Sequence, residues 1–128
     1  MMNTTIIGLG SNINPRKNIE KAVQRLTREY SIIKKTRLVK TAPVGLKDTS
    51  PFLNGALLIQ TEETLPLLKR RLKALETALG RKKEQAKFAP RTIDLDILAW
   101  NGKVVDKDFY ERDFIKKAVL ELMPGIQY

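Results

Sequence analysis

The sequence predicts an α+β fold whose strands and helices follow the order β-α-β-β-α-β. Three observations support this: short β-branched runs bounded by turn residues, two segments with apolar residues at helical spacing, and a length of 128 residues, which suits one domain. This order is the ferredoxin-like arrangement, an antiparallel sheet with both helices on one face. We expect residues 1–128 to form a single domain.

The first strand and the first helix are separated by a turn. Thr4 to Leu9 is apolar and β-branched and predicts a strand that enters a turn at Gly10-Ser11-Asn12. Asn14 is the predicted N-cap of a helix over Pro15 to Glu29, because proline suits the first helical position. The apolar residues at helical spacing are Ile19, Ala22, Val23, Leu26 and Tyr30.

Two further strands follow, with a loop between them. Ser31 to Thr41 is rich in Ile, Val and Thr and breaks at 42–45, and the loop continues to about Pro51. Phe52 to Thr61 is the next strand, and its period of two places Phe52 and Asn54 on one face. The aliphatic residues on its other face are Leu53, Leu57 and Ile59.

The second helix has the clearest pattern in the chain. Thr64 is its predicted cap, Pro66 lies in its first turn and Gly80 ends it. Its apolar stripe consists of Leu65, Leu68, Leu72, Leu75 and Leu79.

The last predicted elements follow a basic loop at 81–90. Thr92 to Trp100 predicts the fourth strand, Asn101-Gly102 predicts a tight turn, and Lys103 to Val105 predicts a short strand that pairs back. Phe114 to Leu122 could add a short helix.

The composition excludes several kinds of chemistry. Cysteine and histidine are both absent, so disulfides, zinc–thiolate sites, cysteine nucleophiles and histidine acid–base catalysis are unavailable, and catalysis would depend on carboxylates, cations or a metal. The net charge of +10 favours an anionic partner: a nucleic acid, an acidic membrane surface or a polyphosphate. Nine basic residues and two acidic ones lie between Lys69 and Arg91, a region that would suit a phosphate chain or form a solvated surface.

The sequence contains neither a secretion-signal pattern nor an apolar stretch of membrane-spanning length. We therefore expect a cytoplasmic protein without a membrane partner. We also expect a monomer.

The fourth strand carries two carboxylates at alternate positions. Asp94 and Asp96 fall on one face, about 7 Å apart by the strand repeat, and Ile93, Leu95 and Ile97 fall on the other. Magnesium prefers hard oxygen ligands, so this pair could hold two ions on a polyphosphate. The alternative is a half-exposed strand that shows polar residues to water. Arg91, preceded by Pro90, could contact the phosphates or pair with an aspartate.

The run Lys87-Phe88-Ala89-Pro90-Arg91-Thr92-Ile93-Asp94-Leu95-Asp96-Ile97-Leu98 resembles the signature of the 6-hydroxymethyl-7,8-dihydropterin pyrophosphokinases of folate synthesis. Further segments similar to this family are Gly10-Ser11-Asn12, Thr41-Ala42-Pro43-Val44-Gly45, Phe52-Leu53-Asn54 and Leu79-Gly80-Arg81. The resemblance implies a ferredoxin-like fold, ATP and the pterin as substrates, two Mg²⁺ ions on the phosphates, and AMP as the leaving product.

The resemblance also implies roles for individual residues. Asp94 and Asp96 would bind the magnesium ions, and Arg81, Lys83 and Arg91 would contact phosphates or steady the catalytic loop. The residues expected near the nucleotide are Lys73, Glu76 and Ile97. Those expected at the pterin are Phe52 and Phe114 on opposite ring faces, Asn54 at the ring edge, and the backbone at Thr41, Ala42 and Val44. Each could instead be an ordinary core or surface residue.

The chain departs from this family after the last strand. Members usually carry a Pro-His-Tyr segment whose histidine contacts ATP phosphates, whereas Asp106 here runs almost directly to Tyr110 and Arg112. Tyr110 and Arg112 are the candidates to replace it in part, with Lys107 as a further one.

Two other functions compete with this one. A non-catalytic relative could bind the pterin or the nucleotide without turnover. A ferredoxin-like RNA-binding module would explain the charge of +10, but Asp94 and Asp96 would repel a phosphate backbone on the strand that should carry aromatics. We therefore expect no nucleic-acid partner.

Overall fold

The computed structural model describes residues 2–42, 51–81 and 92–128. Its elements in chain order are β1 (Asn3–Ser11), α1 (Pro15–Glu29), β2 (Ser31–Lys35), β3 (Val39–Thr41), β4 (Phe52–Thr61), α2 (Leu65–Ala78), β5 (Asp94–Trp100), β6 (Lys103–Val104), α3 (Asp108–Glu111) and α4 (Asp113–Leu122). None of the helices in these ranges combines the length and the apolar character needed to cross a membrane.

The strands form one antiparallel sheet in the order β2-β4-β1-β5-β6, and β3 also pairs with β4. If β2 and β3 are counted as one strand, this is the strand order of the ferredoxin-like arrangement, and the predicted fold class is confirmed. The predicted strand Ser31 to Thr41 is two strands because Thr36 leaves the regular ladder. Its side-chain oxygen accepts a hydrogen bond from the Ala56 amide at 3.0 Å.

Helices α1 and α2 cover one face of the sheet, as predicted. Their apolar stripes pack on the odd-numbered residues of β1, β4 and β5 in a core that includes Ile7, Leu9, Ile19, Leu26, Leu57, Ile59, Leu68, Leu72 and Leu95. Burial of these side chains removes apolar surface from water and fixes both helices against the sheet.

The two long helices begin at the predicted cap residues, but only one of these caps uses its side chain. The Thr64 hydroxyl accepts a hydrogen bond from the Leu67 amide at 3.3 Å, so the predicted cap of α2 is confirmed. Asn14 is the N-cap residue of α1, as predicted. Asn14 has φ 41°, in the left-handed region, and its side chain makes no capping hydrogen bond. Its carbonyl accepts the first helical hydrogen bond, from Asn18 at 3.0 Å.

The short helices α3 and α4 pack on the opposite face of the sheet and form a second core. This core contains Ile6, Ala56, Leu58, Leu98, Ala99, Phe109, Val119, Leu122 and Ile126. The pairing of β1 with β5 shifts register at Ile6 and Ile7, so Leu98 and Ala99 both face this core. The predicted turn at Asn101-Gly102 is confirmed, because both residues have positive φ, 48° and 86°.

A candidate ligand cleft beside α4

The second face of the sheet is not covered completely. A cavity of about 750 Å³ lies between the ends of β1, β4 and β5 and one side of α4. Most small-molecule sites in proteins have volumes of this order. The cleft is therefore large enough for two linked ligand groups.

The floor of the cleft depends on two glycines of β1. Gly10 lies opposite Asn54 of β4 and opposite Asp94 of β5 in the sheet register, and Gly8 lies opposite Asp96. A Cβ atom on Gly10 would lie 2.9 Å from Asn54 Oδ1, and one on Gly8 would lie 3.0 Å from a Leu98 methyl group. The absence of side chains at these two positions keeps the floor open.

One side of the cleft suits a flat polar ring. The residues that line it here come from β3 and the position after it, from β4 and from α4: Thr41, Ala42, Phe52, Asn54 and Phe114. Asn54 Nδ2 donates a hydrogen bond to Thr41 Oγ1 at 2.6 Å, which orients the amide. Two aromatic rings and an oriented amide can hold a heterocycle by stacking and by edge hydrogen bonds.

The other side of the cleft carries the carboxylate pair. Asp94 and Asp96 both line the cavity, and their side chains are 37% and 43% exposed. Ile93 and Leu95 are fully buried on the opposite face of the strand, so the predicted alternation is confirmed. Partial burial within the cleft and the like charge of Asp94 raise the pKa of Asp96 to about 7.

A buried carboxylate on α2 organises the cations next to this pair. Glu76, which is 3% exposed, accepts a hydrogen bond from the Leu95 amide at 2.6 Å. It also lies 3.2 Å from Lys73 Nζ and 2.9 Å from Arg81 Nη1. Arg81 Nη1 also lies 2.8 Å from Asp94 Oδ1, and Lys73 Nζ also lies 3.4 Å from Asp96 Oδ1. Each aspartate of the pair therefore has its own cation.

The charge state of this network follows from burial and from its neighbours. Burial acts to lower the pKa of Lys73, but the carboxylates of Asp96, Glu76 and Asp94 outweigh it, so this pKa lies above its ordinary value. Burial raises the pKa of Glu76. The hydrogen bond from Leu95 and the charges of Lys73 and Arg81 act to lower this pKa, but burial outweighs them. Lys73 is consequently a cation at neutral pH.

The remaining predicted residues lie in several places. Arg112 lines the cavity, whereas Ile97 packs against the core under α1 and α2. Tyr110 is 64% exposed and packs edge-on against Phe109, with the two ring centroids 5.0 Å apart. The predictions for Val44, Lys83 and Arg91 fall outside the described residues.

The structure adds residues to the cleft that the sequence did not indicate. Asp106, Asp108 and Lys117 line it beside Arg112. Burial is the main cause that raises the pKa of Asp106. The one available signal was their position directly before and within the terminal helical pattern, and nothing local showed that this helix folds back over the strand ends.

The donor set at Asp94 and Asp96 suits magnesium better than a softer metal. Both residues offer hard carboxylate oxygens, and Mg²⁺ is usually held by one or two carboxylates, with water and substrate phosphates in the other positions. Within residues 2–42, 51–81 and 92–128 no group of three or more acidic, histidine or cysteine side chains is arranged to hold a metal.

Fold and cleft together define an α+β protein that can hold a flat ring next to a charged, oxygen-rich subsite. Comparison with known proteins identifies the family. The family model described as 7,8-dihydro-6-hydroxymethylpterin-pyrophosphokinase (HPPK) matches residues 6–124, and the chain belongs to this family. The resemblance seen in the sequence is confirmed.

Individual relatives agree with this assignment. The 2-amino-4-hydroxy-6-hydroxymethyldihydropteridine pyrophosphokinase of Aquifex aeolicus is 34% identical, over 98% of this chain and 83% of that protein. The protein of the same name in Bacillus subtilis is 30% identical, over 99% of this chain and 82% of its own length. A folate synthesis bifunctional protein of Arabidopsis thaliana is 31% identical over 92% of this chain, which spans only 26% of that protein.

Proposed function

We propose that the protein transfers a pyrophosphate group from ATP to 6-hydroxymethyl-7,8-dihydropterin and releases AMP, as a step of folate synthesis. The hydroxymethyl oxygen bonds to the β-phosphorus, the bond from that phosphorus to the α,β-bridging oxygen breaks, and AMP leaves with that oxygen. The hydroxymethyl proton is released. Family membership and the names of the pyrophosphokinase relatives support this reaction.

The observation that carries the proposal is the register of three neighbouring strands. Asn54, Gly10 and Asp94 stand side by side on β4, β1 and β5. In this proposal the ring subsite lies directly beside the carboxylate subsite, with a glycine between them. A pterin on Asn54 would direct its hydroxymethyl group across the glycine floor towards the phosphates.

In this reaction the protein mainly aligns the two substrates and balances charge, which agrees with a histidine-free chain. Phe52 and Phe114 would stack on the pterin, and the Asn54 amide would fix its rotation. Arg81 and Lys73 contact the carboxylates, and Arg112 lines the same cleft. Lys83 and Arg91 are candidates outside the described residues. Cations aimed at the phosphates stabilise the charge that develops during transfer.

Asp94 and Asp96 would hold the magnesium ions, through the hard oxygen ligands described above. When bound, magnesium neutralises phosphate charge and orients the ATP chain for in-line attack. Both residues lie on one face of a strand that is anchored on its other face by the fully buried Ile93 and Leu95, so their carboxylates are positioned before substrate arrives.

The decisive experiment incubates the protein with ATP, MgCl₂ and 6-hydroxymethyl-7,8-dihydropterin and separates the nucleotides by chromatography. We expect AMP in amounts equal to the pterin consumed. Production of ADP, or no nucleotide product, would contradict the proposal. Asp96→Asn should remove most of the magnesium-dependent turnover while it retains pterin binding, and Glu20→Gln, which removes an exposed carboxylate on α1 outside the cleft, is the control.

A further inference from the structure

The contacts of Lys73 point to a function besides the binding of ATP. Its amino group lies 3.2 Å from Glu76 Oε2, 3.2 Å from the Leu95 carbonyl oxygen and 3.4 Å from Asp96 Oδ1. Three acceptors thus hold one ammonium group at the edge of β5. Lys73 is 45% exposed in its side chain, so it is not required to fill the core.

The backbone of β5 shows why this position is well defined. Strand β6 pairs only with Ala99 and Trp100, so among the described strands none bonds the outer edge of β5 at Leu95. Glu76 accepts from the Leu95 amide and Lys73 donates to the Leu95 carbonyl, as the backbone of a further strand would do. The two side chains of α2 therefore fix the strand between Asp94 and Asp96.

We infer that Lys73 is a built-in counterion of Asp96 that competes with the divalent cation, so that the metal must displace the ammonium group from that carboxylate before it binds fully. The inference rests on the proposed function, because it concerns the metal subsite of the same cleft. Glu76 and the Leu95 carbonyl hold the ammonium group in place when Asp96 releases it.

This exchange has a physical advantage for a site of this kind. Asp94 and Asp96 repel each other, and a local cation lowers that cost while no metal is bound. The same cation opposes a divalent ion at Asp96 by Coulomb repulsion, so the metal binds best when it arrives with anionic phosphates.

The test measures binding of Mn²⁺, and then Mg²⁺ by competition, to the protein without nucleotide or pterin. Lys73→Gln removes the charge but retains a hydrogen-bond donor for the Leu95 carbonyl. It should bind the metal about three- to tenfold more tightly than the unaltered protein. Lys73→Arg keeps the charge and should show the original affinity. Lys69→Gln is the matched control, one helical turn away and exposed, and should leave the affinity unchanged.

The outcomes separate this inference from the proposed function. Equal or weaker metal binding by Lys73→Gln, in a protein whose thermal melt matches the original, overturns the counterion role and leaves the metal site intact. An equal gain in Lys69→Gln also overturns it, since the effect would then be one of net charge. If Asp96→Asn binds metal as well as the unaltered protein, the metal site itself is wrong, and the inference falls with it.

Discussion

At the scale of single residues, Gly10 shows how an absent side chain shapes a site. Its Cα lies between Asn54 and Asp94 in the register, and a Cβ atom would approach Asn54 Oδ1 to 2.9 Å. The amide could not keep its hydrogen bond to Thr41 without a shift. The openness of the cleft is therefore sensitive to one methyl group.

Gly10→Ala should raise the KM for the pterin by about tenfold or more, because displacement of Asn54 misaligns the ring. Stability should change little, since the approaching atom belongs to a side chain at the open floor. Steady-state kinetics at saturating ATP would measure the effect. Gly125→Ala is the control, because a Cβ atom there would meet nothing within 4 Å. An unchanged KM would show that Asn54 does not orient the pterin.

Tyr30 is a second residue whose environment has a measurable consequence. Its hydroxyl donates to Glu63 Oε1 at 2.6 Å, and Arg71 pairs with the same carboxylate at 2.7 Å. Burial first, and then the hydrogen bond to Glu63, raise the pKa of Tyr30 well above its ordinary value of 10.0. The native state thus retains this proton at pH values where the unfolded chain loses it.

The contribution of Tyr30 to stability is complete below pH 10 and is lost as the pH rises towards its folded-state pKa. Tyr30→Phe should lower the free energy of unfolding by about 1.5–3 kcal/mol at pH 8, the usual range for a hydrogen bond to a charged group. The difference from the unaltered protein should narrow above pH 10. Urea denaturation at several pH values measures this difference in the free energy of unfolding, with Tyr128→Phe as the control. A difference that widens as the pH rises would contradict the prediction.

At the scale of elements, α2 matters most because it carries Lys73 and Glu76 to the edge of β5. Its start is defined by the Thr64 cap and its end by Gly80, whose φ of 106° suits a residue without a side chain. The cap position is exposed, so a change there tests the helix without altering the core.

Thr64→Ala should destabilise the protein by about 1 kcal/mol, because the Leu67 amide loses its acceptor at the helix start. Thr64→Ser keeps the oxygen and should cost only a few tenths of a kcal/mol by the same comparison of capping residues. Chemical denaturation followed by circular dichroism measures both. Equal losses in the two variants would mean that the Thr64 methyl group, and not the cap, is what stabilises α2.

At the scale of the whole molecule, one sheet is shared by two cores. Leu122 belongs to the core under α4, whereas Trp100 packs against the core under α1 and α2. The strands β1, β4 and β5 contribute side chains to both cores, so neither layer can lose its packing without exposing the sheet to water.

Leu122→Ala should destabilise the protein by about 2–5 kcal/mol, the usual cost of a cavity at a buried leucine. The midpoint of unfolding should then shift to the same new value whether unfolding is followed by Trp100 fluorescence or by far-ultraviolet circular dichroism, although Leu122 lies on the other face of the sheet. A fluorescence midpoint that stays in place would show that the two layers unfold separately.

Local sequence patterns were sufficient to predict most of the fold and the family. Alternating and helical periodicity predicted the extents of α1 and β4, and the fold class followed from the order of the elements. The signature around Asp94 and Asp96 indicated the family that the comparison then identified. These properties depend on neighbours within a few residues, which a sequence displays directly.

What the sequence determined by itself is therefore the type and order of the elements, the alternation that exposes Asp94 and Asp96, and the family. The tertiary structure alone decided that β2 and β3 divide at Thr36, that Asp106 joins the cleft wall, and that Glu76 holds two cations at the edge of β5. The reason is physical: these features depend on which distant segments meet through sheet register and helix packing, and no local repeat in the chain records that meeting.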